Sequence, residues 1–126
     1  MLMPKKPSKK TMTKKLDKVC SDIIRARGYC VKCGGSGGQL QTAHIFSRKN
    51  RAVRWDLDNL LTLDAKCHFW AHQNPIFFTE WVKEYLGEYQ YSALKYRALM
   101  IKQWTLEELQ DLFKTLQKVR NDAVNI

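Results

Sequence analysis

The sequence predicts an α+β fold, mostly helical, and three observations carry that expectation. Apolar residues recur at helical spacing through the beginning of the chain and through its whole C-terminal half. Between these stretches, "QLQTAHI" and "NLLTL" read as two short strands. A C-x2-C with a glycine-rich tail, "CVKCGGSGG", stands just before the first strand. The chain has 126 residues and is 44% hydrophobic, which is enough to fold around a modest core. The expected organisation is a flexible basic arm over 1–12 and a single domain over 13–126.

Charge narrows the partners. The formal charge is +10, and a surplus of that size on so small a chain favours a polyanion, with nucleic acid the commonest. The N-terminal "MLMPKKPSKKTMTKKLDK" carries seven lysines against one aspartate and suits an arm that tracks phosphates. No stretch is long or apolar enough to cross a membrane, and the N-terminus lacks the apolar core of a secretory signal. The expectation is therefore an intracellular protein whose cysteines are ligands or core thiols, not disulfides.

The elements follow in order. From Thr13, Leu16, Val19, Cys20, Ile23 and Ile24 form one helical stripe, with Gly28 as the stop. Cys20 lies on that stripe and reads as a core thiol. After the knuckle and the first strand, "FSRKNRAVRWDLD" is a basic loop, and the second strand begins at Asn59. "DAKCHFWAHQ" returns to helical spacing. Asn74-Pro75 reads as an N-cap followed by proline at the first helical position, opening a helix that stops at Gly87. Its Phe77, Phe78, Trp81 and Tyr85 have core periodicity. "YSALKYRALMIKQ" and "TLEELQDLFKTLQKVRND" are further helices. The last opens with a capping box, Thr105 to Glu108, and keeps Leu106, Leu109, Leu112, Phe113 and Leu116 on one stripe. This C-terminal helical part spans about 75–122.

Cys30, Cys33, His44, Asp64, Cys67, His68 and His72 are too many ligands for one tetrahedral zinc and suit two sites. Cys30, Cys33 and Cys67 would form a structural zinc site, with Asp64, His72 or water as its fourth ligand. His68 and His72, four apart on one helix, stack on one face and are free to share a second ion. His44, on the preceding strand, can face that ion across the site.

"AHI" at 43–45, "DNLLTL" at 58–63 and "CHFWAH" at 67–72 resemble the His-Asn-His motif of HNH nucleases, in the zinc-knuckle form of their ββα-metal fold. The resemblance covers about residues 28–75. The phrase "LQTAHIFSR" is also similar to small phage-encoded HNH proteins, including recombination endonucleases of the NinG type. It implies a metal-dependent DNA endonuclease with His44 as general base, Asn59 holding the loop and orienting His44 through its amide, and His68 and His72 holding Mg²⁺ or Mn²⁺. Arg48, Lys49, Arg51 and Arg54 would grip DNA phosphates. Two positions depart from the family pattern. Ala43 stands where many members carry a further metal ligand, and Asp64 stands where a cysteine is expected.

The rival reading is a non-catalytic zinc-stabilised DNA-binding module, in which His72 completes a Cys3His site. It leaves His44 and His68 without a common task. A zinc-ribbon adaptor that binds protein leaves the charge unexplained. No base-reading element stands out, so the expected DNA substrate is chosen weakly by sequence, with duplex, branched or recombination DNA and a homodimer all open.

Overall fold

The computed structural model describes residues 5–124; the first four positions of the expected arm lie outside them. The fold is α+β and mostly helical, with one two-stranded antiparallel sheet. The elements are α1 (Lys9–Arg25), β1 (Leu40–His44), a 3₁₀ turn (Leu57–Asn59), β2 (Leu60–Asp64), α2 (Ala65–Gln73), α3 (Pro75–Leu86), α4 (Glu88–Ala98) and α5 (Leu106–Val124). Among the described residues, no helix is long and apolar enough to cross a membrane.

The chain divides into two compact units, one taking the residues up to Ile23 together with those from Trp104 on, the other Ile24–Gln103. In the first unit, α1 starts at Lys9, ahead of the Thr13 that apolar spacing suggested, so Lys9 to Met12 of the expected arm are helical. Ser8 explains the earlier start: its Oγ accepts from the Thr11 N–H at 3.1 Å, a side-chain cap that polar residues can supply without apolar periodicity. Met12 then extends the buried stripe of Leu16, Val19 and Cys20. Burial pushes the Cys20 thiol up to about 12, with Asp17 adding to it, so Cys20 is an inert core thiol. Asp22 meets Arg120 at 3.4 Å, and Lys15 lies 5.8 Å from the Phe113 ring. Both contacts join residues at the same offset, so α1 and α5 run parallel. The capping box of α5 forms as expected, with Thr105 and Glu108 exchanging bonds of 3.0 and 3.1 Å.

In the second unit, β1 pairs with β2 so that Gln41 faces Leu63, Ala43 faces Leu61 and His44 faces Leu60. Ala43, Leu61 and Leu63 pack with Cys67 and Ala71 of α2 and with Phe78 and Val82 of α3. On the other face, buried Thr62 donates its hydroxyl to the Ile24 carbonyl at 2.7 Å. Pro75 opens α3 as expected, but Asn74 supplies no side-chain cap to it. Its amide turns back and donates to the Trp70 carbonyl at 3.0 Å, closing α2 instead. The expected aromatic stripe of α3 is buried only at Phe78. Phe77 and Tyr85 are exposed, because the buried side of α3 is confined to Phe78 and Val82. Trp81 stacks between Phe78 and Tyr85. Helix α4 runs from Glu88 to Ala98, shifted toward the N-terminus of the expected 91–103 stretch.

Candidate functional site

The knuckle is made by backbone geometry. The Cys30 N–H donates to the Gly35 carbonyl at 2.8 Å, and the Gly34 N–H donates to the Cys30 carbonyl at 2.8 Å. Gly34 has φ +77°, the left-handed region that an L side chain adopts at a cost. The turn is tied to β2 by the Val31 N–H bond to the Thr62 carbonyl, 2.9 Å. Lys32, between the two cysteines, places its ammonium 4.2 Å from the centre of the Trp70 ring.

That turn brings Cys30 and Cys33 to the junction of β2 and α2, where Asp64 and Cys67 wait. One ligand atom from each of the four lies within 4.8 Å of all the others. Around a tetrahedral zinc with ~2.3 Å bonds, sulfurs sit ~3.8 Å apart, so a small contraction closes the group on an ion. Among the described residues this is the one group of three or more such side chains that can hold a metal ion. Asp64, not His72, is its fourth member. The carboxylate does two things: Oδ1 accepts from the Cys67 N–H at 2.7 Å, capping α2, and Oδ2 accepts from the Cys33 thiol at 3.0 Å.

Protonation reflects that crowding. Burial pushes the Cys67 thiol up to about 12, with Cys30, Asp64 and Cys33 adding to it. The Asp64 carboxylate beside Cys33 raises that thiol too. Asp64 is held below the usual carboxylate range, first by the Cys67 N–H and then by Cys33. Burial works to raise Cys30, but backbone donors at Cys33, Asp64 and Lys32 outweigh it and lower the thiol. A cation is what lets several such donors ionise together.

The histidines gather elsewhere. His44, His68 and His72 line one cavity of about 600 Å³, together with Arg48, Ser47 and Thr79. His68 and His72 sit one turn apart on α2, with Nε2 atoms 3.1 Å apart. Two nitrogens bound side by side on an octahedral ion with ~2.1 Å bonds are ~3.0 Å apart, so the pair matches an ion's edge. His68 Nδ1 lies 2.7 Å from Gln41 Oε1. A carbonyl oxygen only accepts, so Nδ1 carries the proton and Nε2 keeps its lone pair. Burial, then the neighbouring His72, lowers the pKa of His68 and favours that neutral form. The sequence offered one signal for Gln41: a polar residue on the side of β1 that Ala43 shares with the core.

Asn59 takes a different position from the expected one. It closes the 3₁₀ turn rather than opening β2, and its amide does not contact His44 in any of its three hydrogen bonds. Oδ1 accepts from the Phe46 N–H at 2.8 Å, and Nδ2 donates to the carbonyls of Phe46 and Val53 at 3.0 and 3.1 Å. Asn59 is fully buried and ties the start of the basic loop, at Phe46, to Val53 in its middle. The four loop cations separate. Arg48 lines the histidine cavity, Lys49 and Arg51 line a second one with residues 98–102, and the Arg54 guanidinium lies 5.5 Å from the Trp55 ring.

Comparison with protein-family models, with curated proteins and with solved structures finds no match to this chain.

Proposed function

We propose that this chain is a metal-dependent DNA endonuclease of the HNH kind, with a structural zinc at Cys30, Cys33, Asp64 and Cys67. The observation that carries the reading is the single cavity shared by His44, Arg48 and the paired Nε2 atoms of His68 and His72. The imidazole of His44 takes a proton from the attacking water. Arg48 binds a phosphate next to the scissile one. Gln41 keeps the lone pair of His68 on the cavity side, and Asn59 holds the loop that carries Arg48. A divalent ion on His68 and His72, Mg²⁺ or Mn²⁺, would offset charge on the scissile phosphate and on the leaving 3′ oxygen. With Ala43 offering no ligand, water and phosphate, or His44 itself, would complete the ion's surroundings. Branched recombination intermediates are the proposed substrate class.

The test is incubation with supercoiled plasmid plus Mg²⁺ or Mn²⁺, beside His44→Ala and a chelator control. Metal-dependent nicking or linearisation that is lost in His44→Ala while DNA binding persists is the expected result. Cutting that survives His44→Ala refutes the assignment of the base.

A further inference from the structure

Leu99, Met100 and Ile101 follow α4 directly and are 75%, 55% and 96% exposed. Scattered apolar residues on a surface need no explanation, but three in succession at one tip do. The tip is ordered rather than frayed. The Leu99 N–H donates to the Lys95 carbonyl at 3.0 Å, and the Met100 N–H donates to the Arg97 carbonyl at 3.2 Å. The tip borders a cleft of about 360 Å³ whose other lining residues are Lys49, Asn50, Arg51, Ala98 and Lys102. Three of the lining residues, Lys49, Arg51 and Lys102, are cations.

We propose that Leu99–Ile101 is a wedge that enters an opened base step of DNA while Lys49, Arg51 and Lys102 hold the flanking phosphates. This rests on the DNA reading above and specifies the form of DNA that the chain prefers: bulged or branched duplex, where a step is already partly unstacked. The chemistry is that of apolar side chains inserted between bases, which needs an apolar tip to replace stacking and cations beside it to hold the bent backbone. Charge decides between occupants, because three cations beside an apolar tip complement phosphates, and a protein partner covering that tip does not call for them.

Continuity with the histidine cavity supports the same occupant. Arg48 lines that cavity, and the next residue, Lys49, lines this cleft. From 48 to 51 the chain spans at most ~11 Å, about three base-pair rises. Asn59 fixes the loop at Phe46 and Val53, so the two sites keep a set separation. A strand held at the histidines would meet the wedge within a few nucleotides.

The experiment uses the full chain, without added Mg²⁺ or Mn²⁺, and a bulged duplex carrying 2-aminopurine at the bulge, which brightens when unstacked. Wild type is expected to brighten the probe on binding. A Leu99→Ser, Ile101→Ser double variant removes only exposed side chains. It should bind continuous duplex within about twofold of wild type, lose the brightening, and lose about tenfold in affinity for the bulged duplex. Lys49→Ala should weaken both duplexes alike. Binding by wild type without brightening, or brightening that persists in the double variant, overturns the wedge and leaves the nuclease reading standing. Failure of wild type to bind either duplex overturns both. A double variant that changes a dimer into a monomer identifies a second copy as the occupant and also overturns the wedge. Brightening by a protein that cuts neither plasmid nor a four-way junction with Mg²⁺ or Mn²⁺ supports the wedge and refutes the nuclease reading alone.

Discussion

Asp64 serves two neighbours with two oxygens, and substitution can separate the roles. Oδ1 caps α2 at Cys67 and Oδ2 meets the Cys33 thiol. Asparagine keeps a cap oxygen but loses the anionic ligand; alanine loses both; cysteine gives up the cap and supplies a fourth thiolate. Losing an N-cap costs about 1 kcal/mol, or ~3–5 °C in Tm for a chain of this length. A metal at a hundredfold excess over its Kd adds ~2.7 kcal/mol, so chelation should lower the wild-type Tm by ~10 °C. Thermal unfolding with zinc and with chelator, beside metal analysis, reads both effects. Without metal, Asp64→Asn should melt within ~1 °C of wild type and Asp64→Ala lower by the cap's worth. With zinc, both should lose most of the metal-dependent shift, while Asp64→Cys should enlarge it. A wild-type Tm indifferent to chelator refutes the metal site. An Asp64→Asn variant as unstable without metal as Asp64→Ala refutes the capping argument.

Three further outcomes are expected. Asn59→Ala leaves the Phe46 N–H and the Phe46 and Val53 carbonyls without their buried partner, and should cost about 3 kcal/mol or more in urea unfolding; a loss under ~1 kcal/mol contradicts the clamp. Burial works to raise the Asp22 carboxyl, but Lys18 and then Arg120 outweigh it and hold it below the ordinary range. Its contribution is therefore complete above the unfolded value near ~3.9 and fades as pH falls through the lower folded value, so Asp22→Asn should flatten the acid limb of stability below pH ~4, and an unchanged limb refutes the pairing. Gln41→Leu removes the acceptor of His68 Nδ1, and nitrogen NMR of the metal-free protein at high pH should then find both tautomers of His68 where wild type has the Nδ1–H form alone; a single Nδ1–H form in the variant shows that Gln41 does not set it.

Periodicity and spacing carried much of this architecture. The stripe of Leu16, Val19 and Ile24, the two strands, the Pro75 start of α3 and the Thr105 box were all legible, because each depends on neighbours within one or two turns. So was the grouping of Cys30, Cys33 and Cys67, since C-x2-C chemistry is local and a third thiol on a following helix is a short step away. Boundaries set by a single polar side chain were less legible. Ser8 begins α1 ahead of any apolar residue, and Asn74 has the letters of an N-cap but spends its amide on the preceding helix.

By itself, the sequence determined the residue types available for chemistry: three thiols and a carboxylate in knuckle order, two histidines one turn apart, and a cationic loop. Only the tertiary structure decided which of them meet. It chose Asp64 over His72 as the fourth member of the thiol group, because capping α2 already points that carboxylate at Cys33. It gave Asn59 to the backbone of the loop rather than to His44, and Gln41 to His68 across the gap from β1 to α2. It also left Leu99 to Ile101 in the open and split three of the four loop cations between two cavities. The physical reason is the same in each case. A hydrogen bond or a ligand contact is fixed within a few tenths of an ångström by elements far apart in the chain, and sequence spacing constrains a side chain only against its own helix or strand.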